Sequence, residues 1–221
     1  MTAPRDNATD ARTDLLQALT PRPLIAILRS ADANRFPRAT ELLYEAGFRC
    51  VELTLTTSGT FDALNTVRRT LPDDLILGIG TVRDVDQVHQ AVDCGADFLV
   101  SQVYRAHLVD AARERGLPFV PGALTPTEIL DVWDAGVPAV KVSPIGPLGG
   151  LNYFDQVRGP LPDVPLVPTG GVAIEEISAY LQRGAAAVGL SGPLTGDALE
   201  PNGNWAEFAE RAARAVDALD T

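Results

Sequence analysis

Lysine is almost missing from this chain. Of 18 basic residues among 221, one is lysine, Lys141, and the rest are arginine. Histidine and cysteine are scarce as well, two of each. His89 and His107 fall in stretches of helical period that read as exterior, so a histidine-held metal is not expected, and no metal site is assigned. Cys50 and Cys94 make no metal spacing and read as free thiols of a reducing compartment. Positive charge is in deficit, with 29 acidic residues and a net charge of −11, which argues against a nucleic-acid or anionic-membrane partner. An acidic protein that binds an anion must do so locally, through backbone N–H groups and a few arginines. No run approaches the roughly 18 apolar residues of a membrane span. The first 20 residues lack the apolar core of a signal peptide. The expectation is a soluble, cytoplasmic protein.

What the chain has in plenty is short apolar runs, and 46% of its residues are hydrophobic. Eight such runs occur, at 24–28, 50–55, 75–79, 98–101, 118–122, 139–143, 165–169 and 186–190. Stretches of helical period separate them, and most end at a glycine placed to close a helix: Gly47, Gly95, Gly116, Gly136 and Gly184. Strands too apolar for a one-faced sheet, alternating with helices, predict an α/β fold. The specific expectation is a single (β/α)8 TIM barrel over residues 1–221. An extra N-terminal helix within 1–20 would close its bottom, 23–195 would carry the strands and active site, and 204–219 the final helix. A doubly wound sheet is the weaker alternative, because the first strand–helix turn, ILRSADANRF, has no glycine for a dinucleotide fingerprint.

Barrel sites lie at the C-terminal ends of the strands, and that rule selects a few polar residues. Lys141 sits in AVKVS between Val140 and Val142. An ammonium loses favour out of water, so burial brings a neutral, nucleophilic amine within reach at neutral pH. Arginine cannot serve this way. The plainer alternatives are a lysine whose amine reaches out of the barrel mouth, or one paired structurally with Glu52. Glu52 itself, inside VELTL, suits a proton carrier, and a counter-charge role for it is compatible with that. After strands 7 and 8, Thr169-Gly170-Gly171 and Gly189-Leu190-Ser191-Gly192 offer backbone N–H groups to an anion, where barrels commonly hold phosphate. Ordinary glycine turns are the alternative there.

PLIAILRS, VELTLTT, GIGTV, PGALTPTE, AVKVSP and VPTGGV, in this order and spacing, resemble the class I 2-keto-3-deoxy-6-phosphogluconate (KDPG) aldolase family, over about residues 23–195. The family includes the 4-hydroxy-2-oxoglutarate (KHG) and 6-phosphogalactonate aldolases. The resemblance implies a pyruvate-forming cleavage of a phosphorylated keto sugar acid, without a cofactor, in a homotrimer. It implies a Schiff-base role for Lys141 and acid/base work for Glu52. Thr81 and Thr169 would hold the keto-acid end, and Gly170, Gly171 and Ser191 the phosphate. Arg29, also on the substrate, matches an arginine seen in members whose second strand lacks one. Two positions depart from the family's pattern. Gln102 stands where proline is usual after strand 4, and Ser143 where an aromatic is usual on strand 6. They leave the substrate open among gluconate, galactonate and oxoglutarate types, and leave room for an idle barrel that binds a sugar phosphate.

Overall fold

The computed structural model describes residues 15–220. The part of the expected N-terminal helix before residue 15 lies outside the described residues. Nine strand segments run through the described residues: β1 (Leu24–Leu28), β2 (Cys50–Thr54), β3 (Ile76–Gly80), β4 (Phe98–Val100), β5 (Phe119–Val120), β6 (Gly122–Ala123), β7 (Val140–Val142), β8 (Leu166–Pro168) and β9 (Val188–Leu190). Helices α1 (Phe36–Ala46), α2 (Thr60–Thr70), α3 (Val85–Asp93), α4 (Ala106–Glu114) and α5 (Pro126–Asp134) alternate with them. So do α6 (Leu151–Arg158), α7 (Ile177–Gln182), the single turn α8 (Gly192–Thr195) and the last helix, α9 (Trp205–Asp217).

All strand pairings are parallel. Six strands join in the order β5-β4-β3-β2-β1-β9 and three in the order β6-β7-β8. A parallel bridge between Thr169 and Gly189 links the end of β8 to β9. The result is an α/β fold on a curled parallel sheet. The run at 118–122 was expected as one strand, and it is divided at Pro121. Proline has no N–H to donate, which interrupts the ladder. Before it, β5 pairs with β4. After it, β6 pairs with β7.

Both faces of the strands are buried, which explains the unbroken apolar runs. Alternation divides each strand between two clusters. Leu24, Ala26, Leu28, Val51, Leu53, Val140 and Val142 pack against the helices. Ile25, Ile27, Cys50, Phe98, Val120, Ala139 and Val167 gather on the concave side. Residues 15–19 are helical, and Leu15 and Leu19 are buried in that second cluster. The five helix-closing glycines hold φ between +69° and +107°, a conformation costly for other residues. After Gly170 and Gly171 the chain enters a 3-10 turn at Ile174–Glu176 that leads into α7.

Candidate active site

Strand alternation aims the two key side chains inward. On β2, Val51 and Leu53 face the helices, so Glu52 faces the concave side with Cys50. On β7, Val140 and Val142 face the helices, so Lys141 turns inward with Ala139. The two meet. Lys141 Nζ lies 3.6 Å from Glu52 Oε2, with the residues only 6% and 1% exposed. That separation is longer than a good hydrogen bond. Glu52 Oε1 is buried and accepts no hydrogen bond among the described residues. Such a group is costly to leave unsatisfied and is usually met by water or a ligand.

Glycines make the space for this pair. A Cβ at Gly80 would come within 1.9 Å of Glu52 Oε1, and one at Gly78 within 2.3 Å of the Phe98 ring. Gly78 and Gly80, the two inward positions of β3 beyond Ile76, are bare because the ring and the carboxyl occupy that volume. The same logic applies at Gly189, where a Cβ would fall 2.4 Å from Thr169 Oγ1. Cys50, one inward step below Glu52, has its thiol pushed well up by burial, with the nearby Glu52 charge adding to it. A thiol held protonated in this way is inert.

At the mouth, Arg29 Nη2 donates to Thr81 Oγ1 across 3.4 Å. Thr81 has φ +63°, an uncommon conformation for a β-branched residue. Its neighbours hold it there: Leu55 N–H donates to Gly80 O at 2.9 Å and Val82 N–H to Val100 O at 3.1 Å. The loops after β7 and β8 are tied together, with Ile145 N–H donating to Thr169 O and Gly146 N–H to Gly170 O, each at 2.9 Å. Gly170 and Gly171 have φ +84° and +82°. A Cβ on Gly170 would press on Pro144 Cα at 3.1 Å, so side chains are excluded where the loops cross.

A cavity of about 470 Å³ opens over the strand ends. Of the residues expected at the site, Arg29, Lys141, Thr169, Gly170 and Ser191 line it. Glu52, Thr81 and Gly189 reach it through their contacts with Lys141, Arg29 and Thr169. Gly171 lies behind Gly170, packed on Gly146. Gly192, from the turn expected to meet an anion, lines the cavity too, and sequence reasoning missed Ile27, Pro144 and Thr195. Ile27 was legible as an inward position at a strand end. Pro144 sits in a loop and Thr195 ends the single turn α8, and neither segment is long enough for periodicity to give a signal.

An amine beside a half-satisfied carboxylate, under a cavity at the ends of parallel strands, defines an enzyme-type site suited to carbonyl chemistry. The chain belongs to the KDPG and KHG aldolase family, whose model matches residues 15–210. It is 33% identical to the 2-dehydro-3-deoxy-phosphogluconate aldolase of Treponema pallidum over 72% of this chain and 74% of that protein. With a probable 2-dehydro-3-deoxy-6-phosphogalactonate aldolase of Rhizobium meliloti it shares 30% identity, over 90% of this chain and 92% of that one. Among solved structures it is similar to the KDPG aldolase of Legionella pneumophila holding pyruvate as a covalent carbinolamine. The TM-score is 0.81 and the identity 26%, over 91% and 97% of the two chains.

Proposed function

We propose that this protein is a class I aldolase that cleaves 2-keto-3-deoxy-6-phosphogluconate to pyruvate and glyceraldehyde 3-phosphate. The observation that carries the reading is the buried, unpartnered Oε1 of Glu52 beside the only lysine of the chain. Lys141 Nζ attacks the C2 ketone, and loss of water leaves an iminium. Glu52 takes the proton of the C4 hydroxyl as the C3–C4 bond breaks, and the bonding electrons pass to the iminium. The aldehyde departs. The enamine is then protonated at C3, and water releases pyruvate and the free amine.

Arg29, with Thr81 fixed beside it, and Thr169 hold the keto-acid end. Gly189 acts through Thr169, since its missing side chain lets that hydroxyl lie where it does. Gly170, Gly171 and Ser191 hold the phosphate at the far side of the cavity. The scaffold is an eight-stranded barrel in one domain over 1–221. The Thr169–Gly189 bridge and the divided stave on either side of Pro121 support its closure. Leu15 and Leu19, buried among the inward strand residues, support a helix closing its floor. A cytoplasmic homotrimer is the form the resemblance carries, and sedimentation would check the trimer.

The test is pyruvate release from 2-keto-3-deoxy-6-phosphogluconate, followed by its reduction to lactate. Glu52→Gln should lower turnover by about 10²–10⁴-fold. Near-normal turnover in that variant would return Glu52 to a structural role.

A further inference from the structure

Beside the cavity over Lys141 lies a second, of about 360 Å³, and the two share two residues, Gln102 and Ser143. Gln102 and Ser143 stand at the boundary between them. Gln102 Nε2 donates to Ser143 O at 3.0 Å, and the Gln102 side chain is otherwise exposed at the mouth. Its backbone, in contrast, is fixed, because Gln102 O lies so close over Gly122 that a Cβ there would come within 2.4 Å. One amide, held by one hydrogen bond on a rigid stem, stands at this boundary. On the other side of Gln102 and Ser143 stand a half-buried hydroxyl side chain of the aromatic type, Tyr104, and two charged residues, Arg105 and Asp131. Among the described residues neither Arg105 nor Asp131 enters an ion pair. Glu128, which also lines this space, is already used by the Thr125 cap.

We infer that Gln102 and Ser143 determine specificity. They let an unphosphorylated aldehyde, which has no phosphate to be held at Gly170 and Ser191, run from the Lys141 cavity into the neighbouring one, so that the enzyme also takes hydroxyaldehydes of four or more carbons. A guanidinium that donates, a carboxylate that accepts and an amide that does both match a chain of hydroxyl groups. A small Ser143 leaves the passage open, and the Gln102 amide swings aside or bonds to the passing chain. The inference rests on the Schiff-base reading above and extends it to the aldehyde side. In the addition direction, pyruvate and Lys141 lose water to form the iminium, which loses a methyl proton to give the enamine. The enamine carbon bonds to the aldehyde carbon while the aldehyde oxygen takes up a proton. Water then frees Lys141, and the product is a 2-keto-4-hydroxy acid.

The experiment compares kcat/KM for erythrose and for glyceraldehyde, both unphosphorylated, with pyruvate as the partner. Ser143→Phe fills the passage and should lower the erythrose-to-glyceraldehyde ratio by at least about tenfold, the scale on which a pocket rejects added groups. Gln102→Ala removes the amide without adding volume, so it keeps the test alive if the larger residue damages folding. It should raise the same ratio, chiefly through KM. A ratio that moves in neither variant overturns the inference alone, provided wild-type protein is trapped at Lys141 by pyruvate and borohydride. Failure of that trapping overturns the Schiff-base reading and this inference with it.

Discussion

Thr81 and Gly80, adjacent in the chain, illustrate how the site is built at the residue scale. Gly80 has no side chain because the Glu52 carboxyl fills the place of its Cβ. Thr81 keeps a branched side chain at φ +63°, where an L-residue pays about 1–2 kcal/mol. Strain of this kind gathers at ligand sites and is held by the surrounding structure. If Thr81 is kept for its hydroxyl, Thr81→Gly should leave the melting temperature unchanged or slightly higher, because relief of strain offsets the greater freedom of glycine in the unfolded chain. Its KM for the keto acid should rise. Calorimetry and steady-state kinetics on one preparation check both, and a lower melting temperature with unchanged KM would make Thr81 structural. Lys141 and Glu52 stood out in the sequence because a charge in an apolar run needs a reason. Gly80 did not, since its reason lies on the next strand. Gln102 and Ser143 were visible as departures from a pattern, but their place between two cavities was not.

Elements are defined as much by their ends as by their middles. Helix α5 begins with a reciprocal cap: Thr125 Oγ1 accepts from the Glu128 N–H, and Glu128 Oε2 accepts from the Thr125 N–H at 2.8 Å. The Thr125 backbone bond, then its hydroxyl, then the Leu124 N–H hold the Glu128 carboxyl below its usual range. A carboxylate favoured by folding adds stability above its unfolded pKa, near about 4.3, and that stability is lost as pH falls through the folded value. Thr125→Ala should therefore cost about 1 kcal/mol at pH 7. The difference from wild type should shrink on acidification, when protonated Glu128 is a poor acceptor in either protein. Urea unfolding at neutral and acid pH measures it. A difference independent of pH would mean that Glu128 takes no part in the cap. The glycine-closed helices were legible because a left-handed residue has a strong sequence signature. The break at Pro121 was overlooked because apolar content outweighed one missing N–H. Helical dihedrals resume only at Ile174 after Gly170 and Gly171, because the two left-handed glycines and the extended Ala173 complete the turn first.

The molecule as a whole carries a net charge of −11 and yet is read as binding a substrate with two anionic groups, a carboxylate and a phosphate. The long-range field works against such a ligand, so attraction has to come from Arg29 and the loops after β8 and β9 at short range. The scarcity of lysine makes the chain its own control. Lys141 and the amino terminus are the only primary amines. Lysine-specific proteolysis of the unfolded chain has a single cleavage point, after Lys141. Incubation of native protein with pyruvate and borohydride, followed by unfolding and that digestion, therefore tests the central claim most directly. The account predicts one reduced pyruvyl group per chain, carried on the peptide Gly116–Arg158 of an arginine-directed digest, and loss of cleavage after Lys141 in proportion to it. Lys141→Arg should abolish both the adduct and turnover, because a guanidinium keeps the charge but supplies no nucleophile. An adduct confined to Met1, or substrate cleavage surviving in Lys141→Arg, would contradict it.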